Sequence, residues 1–446
     1  MHRLALRAED ARAIEARFHS CEPNEAGAFL LIRCARARTG LRLVAGSPYF
    51  PEQRELLRVG LGVLTPSSQL LSKMVSRSIR EHAGLLFLHS HPDPRYPAGF
   101  SSTDWSALRQ LAAVMPDLLD GPFAAGVVSP HGWTASLLRS RGWETIERIT
   151  SSGRCLELLE PSEARQPEAI DDRQVLALGR INDRLQRIRV TVIGVGGLGS
   201  PLAETLVRMG VAITVVDPDR LDTISNLRRI FGAKREDLEK VPLKAELVVN
   251  HCRGLGFETD VQGVALDVRK RDALSHLLES DVMICGTDTH SSRAVLNTVA
   301  YAFHLPLIDC GVRPGLLGSG ILESLAGEIR IVGPGLACLF CTGSIDPDTI
   351  RRENLPEADR ERLAREGYGT GTTQAVPSVA ALTVGGAGFM ASALVGILGD
   401  DGAHRASRYY FDTLNGWAGE KEATRSDRCI CHHCESQGEE APLGMA

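Results

Sequence analysis

The stretch from Val190 to Lys244 constrains this chain more than any other. An apolar run, Val190-Thr191-Val192-Ile193, leads straight into Gly194-Val195-Gly196-Gly197-Leu198-Gly199. Leu202, Leu206 and Met209 then recur at helical spacing, and a second apolar run, Val211 to Val216, stops at Asp217. The periodicity predicts strand, glycine-rich turn, helix, strand and terminal acid. In that order, backbone N–H groups at the helix N-terminus meet phosphate, and the acid accepts hydrogen bonds from ribose hydroxyls.

A Rossmann-type turn alone would fit any dinucleotide enzyme. What narrows the reading is the polar series beyond Asp217: Asp219, Ser225-Asn226-Leu227-Arg228-Arg229, and Lys244 after Pro242. Here the chain resembles the ThiF/MoeB/HesA-type enzymes that activate ubiquitin-like and sulfur-carrier proteins. Their GxGGxGS turn precedes a D-x-D and S-N-L-x-R series and a lysine. Gly194 to Ser200, Asp217, Asp219, Asn226, Arg229 and Lys244 match this pattern. The family usually has Pro-Lys where this chain has Pro-Leu-Lys, and Lys240 is the other candidate lysine. The resemblance implies cleavage of Mg-ATP between its α- and β-phosphates. Gly194, Gly196, Gly197 and Gly199 would hold phosphate and Asp217 the ribose, with Asp219 and Asn226 in the same nucleotide site. Arg229 and Lys244 would meet the phosphate charge that builds in the transition state.

At 446 residues the chain is long enough for two or three domains. A net charge of −5 and a pI near 6.2 give no support for a nucleic-acid or anionic-membrane partner. No apolar signal core follows Met1-His2-Arg3-Leu4, which suggests a cytoplasmic protein. Val376 to Leu398 is uncharged and could pass for a membrane span, but Gly385, Gly386 and Gly388 favour a buried helix. Four of the eleven cysteines form two CxxC pairs, which in a reducing compartment point to metal.

In the N-terminal half, Ala8 to Phe18 reads as an amphipathic helix, and Ala28 to Ile32 and Gly84 to Leu88 as strands. The second strand leads into His89-Ser90-His91-Pro92, and Ser101-Ser102-Thr103-Asp104 opens a helix. Strand alternation puts His89 and His91 on one face, with Asp104 as a third ligand. Two histidines, one aspartate and an open fourth position suit a catalytic zinc. This region resembles the JAB/MPN (JAMM) zinc isopeptidases, whose motif is a distant glutamate, H-x-H-P and S-x-x-D. The resemblance implies Glu25 as general base and Ser101 as an oxyanion donor. Nine residues separate His91 from Ser101, where the family usually has seven. A degenerate domain kept for partner binding is the alternative.

Ser151 to Gln166 breaks into Ser, Gly, Glu and Pro and reads as a linker. The expected division is a JAB/MPN domain over 1–155, a linker over 156–170, an adenylating domain over 171–436 and a tail over 437–446. By the same resemblance Arg173 is a candidate arginine finger reaching the ATP of a neighbouring subunit, which implies a homodimer; an ordinary solvated arginine is the alternative. A strand from Asp281 to Cys285 ends in Gly286-Thr287-Asp288, and Asp288 matches the aspartate that holds magnesium in the family. Leu305 to Cys310 reads as a further strand, followed by a glycine-rich run to Gly320. Cys338, Cys341, Cys431 and Cys434 form two CxxC knuckles that predict a closed structural zinc site, with Cys429 in reserve.

No cysteine lies between Cys341 and Cys429, where many activating enzymes carry their thioester cysteine. The activated carboxylate would pass directly to an outside nucleophile, or rest on Thr372, Thr373 or Ser378 as an oxyester, or on Cys310. The expected protein is thus an α/β fusion of a zinc isopeptidase with a Rossmann-like, doubly wound adenylating domain. Its implied partner is a ubiquitin-like β-grasp protein, with a conjugating enzyme downstream. The alternatives are a sulfur-transfer or tRNA-modifying enzyme on the same fold, or a scaffold with an inert first half.

Overall fold

Two apolar runs, each buried on both faces, decide how the first half of the chain folds. The computed structural model describes residues 1–161, 169–318, 320–356, 358–360, 362, 378–399 and 406–445. It divides into two compact units. The first is Met1–Gln166 with Tyr301–His304 and Cys434–Ala441, and the second is Pro167–Ala300, Leu305–His433 and Pro442–Ala446.

The first unit holds β1 (His2–Arg7), β2 (Gly27–Arg36), β3 (Leu41–Ala45), β4 (Leu56–Gly60), β5 (Val63–Pro66), β6 (Gly84–Ser90), β7 (Phe123–Ser129), β8 (Gly132–Arg139), β9 (Gly142–Ser152) and β10 (Leu156–Leu158). Eight of these form one sheet in the order β1-β3-β2-β6-β7-β8-β9-β10, and β1 also pairs with β9, so the sheet closes on itself. β4 and β5 form a separate hairpin. Along β2, Ala28, Leu30 and Ile32 pack into one core with Ile14 and Phe18 of the helix Ala8–His19. Phe29 and Leu31 pack into the opposite core with Leu70 and Met74 of the helix Ser68–Arg80. Strands covered on both sides need apolar residues at every position, and β2 and β6 supply them. The sheet also runs three residues into the stretch read as linker, with Leu156 buried.

The second unit holds β11 (Arg189–Ile193), β12 (Ala212–Val216), β13 (Val261–Val264), β14 (Val282–Cys285), β15 (Leu307–Leu316), β16 (Leu322–Val332), β17 (Arg408–Asp412) and β18 (Trp417–Glu420). Their order is β13-β12-β11-β14-β15-β16-β17-β18. The first five are parallel and the last three antiparallel. Strand order reverses between β11 and β14, the switch point at which open α/β sheets bind ligands. The glycine-rich run after Cys310 carries β15 to Leu316 in an antiparallel pair with β16. In β16 itself a Cβ on Gly327 would lie 2.2 Å from the Phe411 ring, so glycine there serves packing.

The helix Ala380–Leu398 is long and apolar enough to cross a membrane by length and composition, and 61% of its most apolar window is buried. It packs against the helix Gly199–Arg208 and against β15 and β16, in line with a buried helix. A Cβ on Gly386 would lie 2.8 Å from Leu198 Cδ2 and 3.1 Å from Val312 Cγ1, so glycine lets the helix approach closely.

The turn after β11 depends on two glycines for different reasons. Gly194 has φ +80°, a conformation that L side chains rarely adopt. Gly199 begins the helix with its Cα against the turn, and a Cβ there would meet Gly194 O at 1.9 Å. Around Gly196 a Cβ meets nothing within 4 Å. Gly199→Ala is therefore expected to lower stability by about 1–3 kcal/mol, the usual cost of overpacking, while Gly196→Ala leaves stability near the wild type. Urea unfolding of the two variants checks this, and equal stabilities would refute it.

Candidate functional site

The second unit holds a cavity of about 900 Å³ at the C-terminal ends of its parallel strands. Gly194, Gly196 and Gly197 line it, as do Asp217, Asp219, Asn226, Arg229, Lys244 and Asp288. These residues come from the connections after three strands, β11, β12 and β14, so their convergence is a property of the fold. Gly199 is not among the cavity's lining residues: it is buried behind the turn, where close packing requires a glycine. Lys244 lines the cavity, and Lys240 is not among its lining residues.

Asp217 ends β12 and is 5% exposed. Its Oδ2 accepts from Val195 N at 2.8 Å and its Oδ1 from Asp219 N at 2.9 Å, so one carboxylate ties the glycine turn to the following loop. Burial raises its pKa above the ordinary value, although both N–H bonds and the Lys244 charge oppose the rise. Lys244 Nζ donates to Asp219 Oδ2 at 2.8 Å. Arg229 Nε is buried with no hydrogen-bond partner. Such an atom is costly unless a ligand satisfies it, and a phosphate oxygen would do so. The Asp288 side chain is exposed in the loop after β14.

The far wall contains a charged network that the sequence did not announce. Arg293 donates to both oxygens of Asp309, at 2.8 and 2.6 Å, and Arg330 Nη1 donates to Asp309 Oδ2 at 3.0 Å. Glu328 joins Arg330 to Arg408. Burial opposes ionisation of Asp309, but the two guanidiniums outweigh it and hold its pKa below the ordinary range. Asp309, Arg330 and Arg408 lie on neighbouring strands and Arg293 on the helix His290–Ala302, far apart in sequence, so no local pattern announced the network.

Cys310 lines the cavity but is 2% exposed, and burial pushes its thiol pKa upward. Ser378 also lines the cavity, its Oγ 3.6 Å from where a Cβ on Gly197 would lie. Thr372 and Thr373, with the turn Gly367–Thr373, lie outside the described residues. Arg173 is exposed on the helix Asp172–Leu178 and does not line its own chain's cavity.

Four sulfurs of the second unit gather in one place, but they are not the four expected. Cys338, Cys341, Cys429 and Cys431 place their Sγ atoms within 4.8 Å of one another, and Cys434 is not among them. Separations of 3.3 Å for Cys338–Cys429, 3.6 Å for Cys338–Cys341 and 4.0 Å for Cys341–Cys431 bracket the roughly 3.7 Å between ligands of a tetrahedral thiolate zinc. A turn, with Cys429 N donating to Ser426 O, brings Cys429 in beside Cys431 despite their tight spacing. Ser426 N and Cys341 N donate to Cys341 Sγ and Cys338 Sγ, each at 3.4 Å, the kind of N–H contact that steadies a thiolate. A hydrogen bond from Cys338 and the charge of Arg425 help hold the Cys431 pKa below the usual thiol value.

In the first unit, β6 carries His89 on the same face as Phe87, and the rings of His89 and His91 lie 5.0 Å apart. Asp104 reaches both, with Oδ1 3.1 Å from His89 Nε2 and Oδ2 3.2 Å from His91 Nε2. The longer loop therefore does not keep Asp104 away. A capping box fixes the aspartate: Ser101 Oγ accepts from Asp104 N at 3.2 Å, and Asp104 Oδ2 accepts from Ser101 N at 2.6 Å. Nδ1 of the buried His89 lacks a hydrogen-bond partner, and Nε2 faces Asp104 Oδ1. An imidazole nitrogen facing a carboxylate and a second imidazole at these separations fits a zinc ligand set, in which neighbouring donors lie about 3.3–3.5 Å apart. Burial opposes ionisation of Asp104, but the two imidazoles and Ser101 outweigh it and lower its pKa. Glu25 is buried, with Oε1 4.0 Å from His91 Nε2, and burial raises its pKa.

The ThiF family model matches residues 171–431, more than half of the chain. Among curated proteins, the SAMP-activating enzyme E1 of Haloferax volcanii is 31% identical over 157 residues, covering 35% of this chain and 55% of that enzyme. The sulfur carrier protein ThiS adenylyltransferase of Bacillus subtilis is 28% identical over 126 residues, covering 28% and 37%. Ubiquitin-like modifier-activating enzyme 5 of Gallus gallus is 24% identical over 217 residues, covering 43% and 53%. The chain thus spans less than two thirds of the length of each of these relatives. Among solved structures, E. coli MccB aligns over 92% of this chain and 97% of its own, at 14% identity and a TM-score of 0.46. From Asp171 to Cys431, this chain belongs to the ThiF family.

Proposed function

We propose that the second unit binds Mg-ATP and adenylates the C-terminal carboxylate of a ubiquitin-like or sulfur-carrier protein. The observation that carries this reading is the convergence of the glycine turn, Asp217, Arg229, Lys244 and Asp288 on one cavity. In this step a carboxylate oxygen of the partner's tail bonds to the α-phosphorus. The bond from that phosphorus to the α–β bridging oxygen breaks, and pyrophosphate leaves with the electron pair. Turn N–H groups, Arg229 and Lys244 are suited to the charge that builds on the leaving phosphates, and Asp288 to the magnesium that accompanies ATP. Relatives named for ThiS, SAMP and ubiquitin-like modifiers support a small protein as the substrate. Arg173, exposed on its helix, would serve a second copy of the chain in a homodimer.

For the first unit we propose zinc-dependent cleavage of the amide bond that follows such a tail, with zinc held by His89, His91 and Asp104. The chemistry such an ion supplies is Lewis acidity toward water and the amide carbonyl. Glu25, buried with a raised pKa, is suited to accept the water's proton at neutral pH and return it to the leaving amine. Ser101 Oγ accepts from Asp104 N, which leaves its hydroxyl hydrogen for the oxyanion. The cysteine cluster would hold a second, structural zinc.

With a matching partner the wild-type chain is expected to catalyse ATP–pyrophosphate exchange. Asp288→Asn should lose at least about 100-fold of it with unchanged thermal melting. Mixing Arg173→Ala chains with Asp288→Asn chains should restore part of the activity; no recovery would remove the shared-site role of Arg173. Tight binding of a dinucleotide, with no exchange for any tail-bearing protein, would overturn the adenylation reading.

Purified without chelator, the chain is expected to carry zinc at both clusters. By metal analysis, Cys429→Ser should lose the ion of the cysteine cluster and Cys434→Ser keep it. Glu25→Gln should retain zinc while losing cleavage of a tail-extended partner. Cleavage that survives in Glu25→Gln, or a His89→Ala chain with undiminished zinc, would end the peptidase proposal.

A further inference from the structure

The helix His290–Ala302 begins two residues after Asp288, and Thr289, His290 and Ser292 at its start line the cavity. Free amides at such a helix start would ordinarily offer a second anion site beside the glycine turn. They are already taken. Glu353 Oε1 accepts from His290 N at 3.0 Å, and its Oε2 accepts from Ser291 N at 2.7 Å. Glu353 is the last residue of the short helix Pro347–Glu353, and that helix is fastened at its other end to the same place. Asp346, its N-cap, donates its backbone N–H to His290 Nδ1 at 2.9 Å. One turn further along, Arg293 is locked to Asp309 through two hydrogen bonds. The loop Gly286–Thr289 therefore runs between the end of β14 and a helix start held by a carboxylate clamp.

We infer that Glu353 is a positioning residue for Asp288, setting the aspartate for the divalent cation that accompanies ATP. The inference rests on the adenylation reading, because it takes Asp288 as the magnesium ligand. Charge supports it in two ways. A carboxylate on the first amides of the helix neutralises the partial positive charge that would otherwise draw phosphate toward Asp288. The phosphate chain is left to the glycine turn and Arg229, and the region of Asp288 stays anionic and suited to a cation.

The test is ATP binding to the full chain by calorimetry, with magnesium titrated and no partner protein needed. Magnesium should tighten ATP binding to the wild type, and Asp288→Asn should abolish that response. Glu353→Ala should need about tenfold more magnesium for the same tightening, the size of effect usual for a residue that orients a metal ligand. Its magnesium-free ATP binding should be no weaker than that of the wild type, because the freed amides of His290 and Ser291 can meet phosphate. Glu353→Gln, which keeps one acceptor oxygen, should recover part of the response. A Glu353→Ala chain that responds to magnesium as the wild type does would overturn the inference while leaving the role of Asp288 intact. A wild type indifferent to magnesium would instead remove the reading of Asp288, and the role of Glu353 with it. If the alanine variant fails to fold, Glu353→Gln decides, and an unshifted magnesium response in that chain refutes the inference.

Discussion

The cavity at the ends of the parallel strands depends on one buried carboxylate. Asp217 accepts from Val195 N and Asp219 N, and so fixes the glycine turn after β11 against the loop after β12. Charge at 5% exposure is expensive, and the raised pKa says that the protein's own donors do not fully cover the cost. Ribose hydroxyls would supply the missing hydrogen bonds. The feature that destabilises the ionised carboxylate in the protein alone is thus the one that favours a nucleotide beside it. Replacing Asp217 would both loosen the turn and remove the acceptor, so its structural and binding roles are not separable by a single substitution.

Local chemistry was legible in the sequence because it obeys short periods. The strands at Val190 and Val211, the glycine turn and the acid at 217 follow from alternation and from a turn that only glycine allows. The clustering of His89, His91 and Asp104 was equally legible, since strand alternation and a Ser-x-x-Asp capping box act over a few residues. Readings that required knowledge of the chain's path did less well. Spacing favoured Cys434 over Cys429, but the turn at Ser426 brings Cys429 to the other sulfurs. The run of glycines after Cys310 carries no strand period, yet it continues β15 in antiparallel pairing with β16. The bridges among Arg293, Asp309 and Arg330 and the clamp from Glu353 join residues 16 to 63 positions apart, and no periodicity reports such pairs.

The cavity wall also bears on where an activated carboxylate can go. Among the described residues that line the cavity, Cys310 is the one thiol. A nucleophilic cysteine needs access and a lowered pKa, and Cys310 has neither: it is 2% exposed, and burial pushes its thiol upward beside Asp309. Its surroundings are those of a packing residue, set against the close approach of Gly386. Ser378 is accessible, but it stands against Gly197 and near Arg229 Nε, on the side of the cavity where phosphate is expected. A hydroxyl there is better placed to hydrogen-bond a phosphate oxygen than to attack an acyl carbon. Both observations count against Cys310 and Ser378 as acyl carriers, while Thr372 and Thr373 lie outside the described residues. Arg293 and Arg330 share the one carboxylate of Asp309, and Glu328 joins Arg330 to Arg408, so the network holds three guanidiniums against two carboxylates and the wall keeps a positive charge suited to a tail carboxylate.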